Sequence, residues 1–141
     1  MTKDLNSNQL RILNLLESIN YKDYYKPESA THDQIELFKK RALKKQVEQT
    51  VIDQLVDLYE VANNYDILGL YGCDDLIIFE WWNYQELWIG QRDFYTLRWA
   101  NGKFCLGDAG DISFSEEYEF YTLIELIKAC IKEMLLDNFD H

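Results

Sequence analysis

The dipeptide Asn101-Gly102 constrains the fold of this chain more than any other short feature. Both residues tolerate positive φ, as the two central positions of a type I′ turn between antiparallel strands require. The cross-strand pairs that result are Trp99 with Phe104 and Leu97 with Leu106. Because these pairs put four apolar side chains on one face, register and burial agree, and the sequence predicts a hairpin.

Extended segments precede this hairpin. After Asn64 the helical period is lost, and β-branched and aromatic residues become frequent. The predicted strands are residues 67–71, 76–82 and 86–89. A two-residue turn at Gly90-Gln91 would place Glu86 beside Tyr95 and conflict with the faces of the hairpin, so we expect a bulge or a longer loop there.

Helices are predicted on both sides of the strands. The predicted N-caps are Asn6 or Ser7, Thr31, Thr50 and Thr122, and the first helix should end near Asn20. Thr31 and Thr122 have capping boxes, since Gln34 and Glu125 follow three residues later. Because helices and strands do not alternate, we expect one α+β domain with an antiparallel or mixed sheet, flanked by N-terminal helices and a C-terminal helix.

The charge of the chain is unevenly distributed. Residues 1–50 carry nine Lys and Arg against seven Asp and Glu, whereas residues 51–141 carry five against eighteen, a net charge of −13. An acidic body of this kind repels nucleic acid and anionic lipid and attracts a basic protein partner. Solubility alone is the alternative explanation. The basic run at residues 39–45 is interpreted as the solvated face of the second helix, with a docking patch for an acidic partner as the alternative.

Cysteine usage and the N-terminus favour the cytoplasm. Cys73, Cys105 and Cys130 form no C-x-x-C pair, so we expect buried thiols. The chain begins without a signal-peptide pattern, and no apolar run reaches the roughly 18 residues that a membrane helix needs.

Catalytic and metal-binding motifs are not evident. The two histidines, His32 and His141, lie in a first helical turn and at the last residue. Asp108 and Asp111 could bind Ca²⁺ or Mg²⁺, but they lack the alternating ligand spacing of a calcium loop. We therefore predict no catalytic residue, no metal and no cofactor, and keep a hydrolase or metal-dependent enzyme that uses Asp108 and Asp111 as a competing hypothesis.

An acidic and aromatic segment is the predicted partner-binding surface. Successive side chains of a strand point to opposite faces, so Trp81 and Trp82 cannot share one core. One of them is either covered by a helix or exposed as an interface anchor. The predicted binding residues are Asp74, Asp75, Glu80, Trp81, Trp82, Tyr84, Glu86, Trp88, Asp108 and Asp111.

Two segments resemble a known family. Pro27 followed by Ala30-Thr31-x-x-x-Ile35-x-x-Phe38, and then Ile52-x-x-Leu55-x-x-Leu58-Tyr59-x-x-Ala62-Asn63, is similar to the opening of the SUKH superfamily, named partly for the Smi/Knr yeast cell-wall regulators. The resemblance covers residues 27–136 and leaves residues 1–26 as an N-terminal helical extension. The chain departs from the family at Gln49-Thr50, where Leu-Pro is frequent, and at Asn63-Asn64, where Asn-Gly-Gly is common.

The resemblance implies protein binding without catalysis. Bacterial members of the superfamily are thought largely to be immunity proteins that neutralise toxins, and fungal members regulate glucan synthesis and cell-wall signalling. An acidic body suits the first role, because many toxin domains are basic. The sequence leaves the partner, the oligomeric state and the choice between these two roles open.

Overall fold

The fold is known from a computed structural model that describes residues 4–19, 28–80, 82, 85–92, 95–108 and 118–139, with the side chains of residues 108 and 135–139 left out. The described residues form an α+β fold, as predicted. The helices are α1 (Ser7–Glu17), α2 (His32–Lys44), α3 (Gln49–Val61) and α4 (Leu123–Phe139), with 3₁₀ turns at Asp66–Leu68 and Leu76–Phe79. The strands are β1 (Glu86–Arg92), β2 (Tyr95–Ala100), β3 (Lys103–Asp108) and β4 (Glu119–Phe120).

The described residues fall into two compact units. The helical unit contains α1, α2 and α3 together with residues 72–74. The sheet unit contains residues 65–71 and the described part of the chain from Asp75 onward. The prediction of a single domain stays a prediction.

Side-chain caps start the first two helices at the expected places. Asn6 and Thr31 each accept a hydrogen bond from the backbone N–H three residues on, and the glutamine at that position bonds back to the cap. Helix α1 ends at Glu17, three residues before the predicted end. The prediction of Thr50 as the third cap was wrong: Glu48 holds that position without a side-chain bond, and Thr50 lies inside the first turn.

The N-terminal extension is anchored to α3 within the helical unit. The side-chain amides of Asn6 and Asn8 donate to the two carboxylate oxygens of Asp57, at 3.1 and 2.9 Å. The amide of Gln9 donates to Glu60 at 3.3 Å, and Ile12 and Leu16 are fully buried. Helix α1 therefore packs as part of this unit, with amide–carboxylate bonds setting its position along α3.

The sheet is an antiparallel meander in the order β1-β2-β3-β4. Asn101 and Gly102 have φ values of 55° and 80°, as a type I′ turn requires. The pairs Trp99 with Phe104 and Leu97 with Leu106 form as predicted. Local turn chemistry thus fixed the register of the central hairpin.

Strand β1 continues through Gly90 and Gln91, so the turn considered there does not form. The expected bulge lies between Trp88 and Gly90 and gives Glu86 the partner Ala100 instead of Tyr95. Residue 90 must be small, because a Cβ there would lie 2.6 Å from the carbonyl oxygen of Gly69. That close approach lets residues 69–71 bond to the outer edge of β1 through Gln91 N–H and Ile89 C=O.

The predicted strands at residues 67–71 and 76–82 were wrong. Both segments begin with a 3₁₀ turn, and among their described residues only Leu70 makes a β-bridge, to Gly90. Ile78 and Phe79 are consecutive and both buried within the second of these turns. Trp81 lies outside the described residues, so the expectation that Trp81 and Trp82 cannot share one core stays a prediction.

Helix α4 starts where its capping box predicts. The Thr122 hydroxyl accepts from the Glu125 backbone N–H at 3.3 Å and donates to the Glu125 carboxylate at 2.9 Å. The helix packs against β3 and β4. Its buried side chains include Leu123, Ile127, Cys130, Ile131 and Met134.

Candidate partner-binding surfaces

The residues predicted to bind a partner do not form one surface in the part of the chain that the structure describes. Trp81, Tyr84 and Asp111 lie outside the described residues, and Asp108 ends β3 with its side chain not described. Asp74 belongs to the helical unit. The other predicted residues belong to the sheet unit and separate there into two groups.

Asp74 has an exposed, helix-linked position. Its carboxylate accepts a hydrogen bond of 3.3 Å from the side chain of Gln34. The same side chain accepts from the backbone N–H of Thr31 in the capping box of α2. Asp75 is adjacent in the chain but belongs to the sheet unit. Although they are consecutive in the chain, Asp74 and Asp75 therefore belong to different units.

Glu86 and Trp88 are engaged inside the sheet unit. The Glu86 carboxylate lies 2.9 Å from the Arg98 guanidinium, and the side chain of Arg98 is only 3% exposed. The guanidinium carbon also lies 5.1 Å from the centre of the Trp88 ring, within the range of a cation–π interaction. Both predicted binding residues therefore stabilise a buried cation of their own chain.

These three residues lie on what we call the charged face of the sheet, which also carries Thr96, Cys105, Lys103 and Glu119. Burial, and then the nearby Glu119 carboxylate, raise the pKa of Cys105 to about 11. Within the described chain, Trp88 Nε1 and Thr96 Oγ1 are buried without a hydrogen-bond partner. The opposite, apolar face carries Leu87, Leu97, Trp99, Phe104 and Leu106.

The second group forms what we call the acidic patch, composed of Tyr71, Asp75, Leu76 and Glu80. Leu76 is 85% exposed, the largest exposed fraction of any large apolar side chain that the structure describes. Burial, and then the carboxylates of Asp75 and Glu80, raise the pKa of Tyr71, so both acids lie close to its ring. An exposed leucine beside two acids suits a partner that offers an apolar socket with a basic rim.

Trp82 contacts the 3₁₀ turn that carries Leu76. Its ring meets the buried Phe79 edge to face, with ring centres 6.2 Å apart, and the residue stays half-buried. Trp82 can therefore fix the position of the 3₁₀ turn that carries Leu76.

Helix α2 has an outward face that the sequence predicted to be solvated, with a docking patch for an acidic partner as the alternative. Leu37 and Leu43 are 55% and 56% exposed, and Lys40 and Lys44 are exposed between and beside them. We call these four residues the basic patch. Lys40 is three residues from each leucine, and Lys44 is four residues from Lys40 and seven from Leu37, so all four lie on one side of the helix. The signal in the sequence was that both leucines fall outside the apolar stripe of α2.

An open groove of about 490 Å³ lies along α4 in the sheet unit. Two aromatic residues of the β4 segment, Tyr118 and Phe120, line one side, and α4 supplies two glutamates and two lysines. The Tyr118 hydroxyl lies 3.5 Å from the Glu133 carboxylate. The described lining contains neither histidine nor cysteine and offers opposite charges that can pair with each other.

Comparisons of the chain with protein-family models, curated proteins and solved structures found no match. The resemblance to the SUKH superfamily thus stays a prediction. Among the described residues, no cluster of three or more His, Cys, Asp or Glu side chains could hold a metal ion. No described helix has the length and apolarity needed to cross a bilayer.

Proposed function

We propose that this chain is a non-enzymatic protein-binding domain, an immunity-type protein that neutralises a cognate bacterial toxin. The observation that supports this proposal is the acidic patch, in which Leu76 is 85% exposed beside Asp75 and Glu80. An exposed apolar side chain beside charged groups can bury its area against a partner while the charges remain at the rim. The net charge of −13 over residues 51–141 would speed encounter with a basic toxin domain.

The binding energy should come from Leu76 and the specificity from its acidic rim. A buried apolar anchor contributes through the area that it removes from water, whereas charges at a rim act mainly on the association rate. The partner is therefore expected to present a basic surface around an apolar socket. The SUKH resemblance independently suggests the same class of function.

The test uses the toxin domain that, on this proposal, is encoded beside this chain. We expect the wild-type protein to bind it and to protect cells that express it. Leu76→Ala should weaken binding about tenfold or more, the size of effect expected at an interface anchor. The matched control is Leu10→Ala, which shortens a leucine that is 47% exposed on α1 and should leave binding unchanged.

Two results would overturn the proposal. One is failure of the wild-type protein to bind or protect against that toxin domain. The other is a specific partner found in cells that lack the toxin locus, which would indicate a Smi/Knr-like regulator of cell-wall or glucan synthesis. If Leu76→Ala and Leu10→Ala change binding by the same amount, the interface lies on another surface.

A further inference from the structure

The acidic patch and the basic patch carry opposite charges, and each combines exposed leucine with charged side chains. The acidic patch exposes Leu76 and Glu80 next to the half-buried Asp75, and the basic patch exposes two leucines beside two ammonium groups. They belong to different units of the chain. Each offers the apolar area and the charge that the other would need in a partner.

The basic patch is unusual for the chain that carries it. The net charge of the whole chain is −11, yet this surface of α2 gathers Lys40 and Lys44 beside two exposed leucines. Solvated lysines alone need no explanation. The two leucines beside them are more than half exposed, and apolar area in contact with water is unfavourable in free energy. An acidic partner with an apolar contact point would remove that cost.

We propose that the basic patch of one copy binds the acidic patch of a second copy, and that this self-association covers the acidic patch until the partner protein displaces it. The occupant of the basic patch is therefore this same chain. The part of the proposal that concerns displacement rests on the proposed function, whereas self-association does not.

Net charge does not prevent this contact at physiological ionic strength. The Debye length is then about 8 Å, so most of the repulsion between two copies is screened while groups in contact still attract. The contact should weaken as salt is raised further, because part of it is charge pairing. A purely apolar contact would not weaken in that way.

Sedimentation equilibrium of the full chain tests self-association. Over about 1 µM to 1 mM we expect concentration-dependent association. Lys40→Glu/Lys44→Glu and Leu76→Ala/Glu80→Lys should each weaken it about tenfold or more. These four positions are exposed, so circular dichroism and thermal unfolding should match wild type. An equimolar mixture of the two variants should again form a complex, because each retains one intact patch.

The matched control is Lys128→Glu/Lys132→Glu, which makes the same change in charge at two exposed lysines of α4. It should associate like the wild-type chain. The proposal is overturned if the wild-type chain stays monomeric over this range, if the control weakens association as much, or if the mixed variants stay monomeric.

A competition experiment tests displacement. The toxin domain should dissociate wild-type assemblies, and Lys40→Glu/Lys44→Glu should bind the toxin domain at least as tightly as wild type. If self-association holds but no toxin domain binds, the proposed function fails while the contact between copies stands. If the toxin domain binds a chain that is always monomeric, only the present inference fails.

Discussion

The two faces of the sheet are buried in different ways. The apolar face presents Leu87, Leu97 and Phe104, all at most 1% exposed. The charged face places Arg98, at 3% exposure, between the Glu86 carboxylate and the Trp88 ring. Burial alone therefore does not dictate which side chains a sheet accepts. On the apolar face the buried area decides stability, whereas on the charged face the partner of each polar atom decides it.

The largest expected effect is on the apolar face. Phe104→Ala should lower the free energy of unfolding by about 3–5 kcal/mol, since it loses a fully buried ring and leaves a cavity beside Phe120. The neighbouring Lys103→Ala, on the charged face, should cost below about 1 kcal/mol because its ion pair is partly exposed. Urea unfolding measures both, and similar losses would contradict the contrast between the faces.

A smaller effect is expected at the buried cation. Glu86→Gln keeps the shape of the side chain but leaves Arg98 without its counter-charge. It should lower the free energy of unfolding by about 2 kcal/mol. The loss is smaller than for a fully buried ion pair because the Glu86 side chain is 19% exposed. The matched control is Glu119→Gln, whose partner Lys103 lies near the surface. If both variants lose the same free energy, the Arg98 pair contributes no more than a surface pair.

The smallest expected effect is a pH dependence from Cys105. Burial raises its pKa from 9.0 to about 11, so the folded state favours the neutral thiol. This contribution is present below pH 9 and is lost as the pH rises from about 9 to about 11. Between about pH 9 and about pH 11, the free energy of unfolding measured in urea should fall by about 1 kcal/mol more in wild type than in Cys105→Ala. Parallel pH profiles would show that the thiol is solvated in the folded state.

The predictions that succeeded rest on interactions close in sequence. Asn6 and Thr31 cap their helices through bonds to residues three positions on, and Asn101-Gly102 turns the chain through its own backbone preferences. The error at Thr50 has the same origin. A hydroxyl in the correct pattern was available, but α3 starts at Gln49 without a side-chain cap, and its buried apolar residues stabilise it instead.

The predictions that failed depend on distant residues. Residues 76–79 have a composition that favours a strand, yet they form a 3₁₀ turn in which the consecutive residues Ile78 and Phe79 are both buried. In the candidate site, Asp75 and Glu80 both lie near Tyr71, but the sequence did not single out Leu76 as an exposed side chain. It also missed Leu37 and Leu43, because a pattern of apolar residues does not state which of them remain uncovered.

The sequence by itself determined the α+β class, the caps of α1, α2 and α4, and the register of the hairpin around Asn101-Gly102. These follow from backbone sterics and hydrogen bonds that span a few residues. Only the tertiary structure decided that Glu86 and Trp88 hold the buried Arg98 while Leu76 stays in water. The physical reason is that the cost of a charge or an apolar side chain depends on what surrounds it, and strand pairing and packing determine those surroundings.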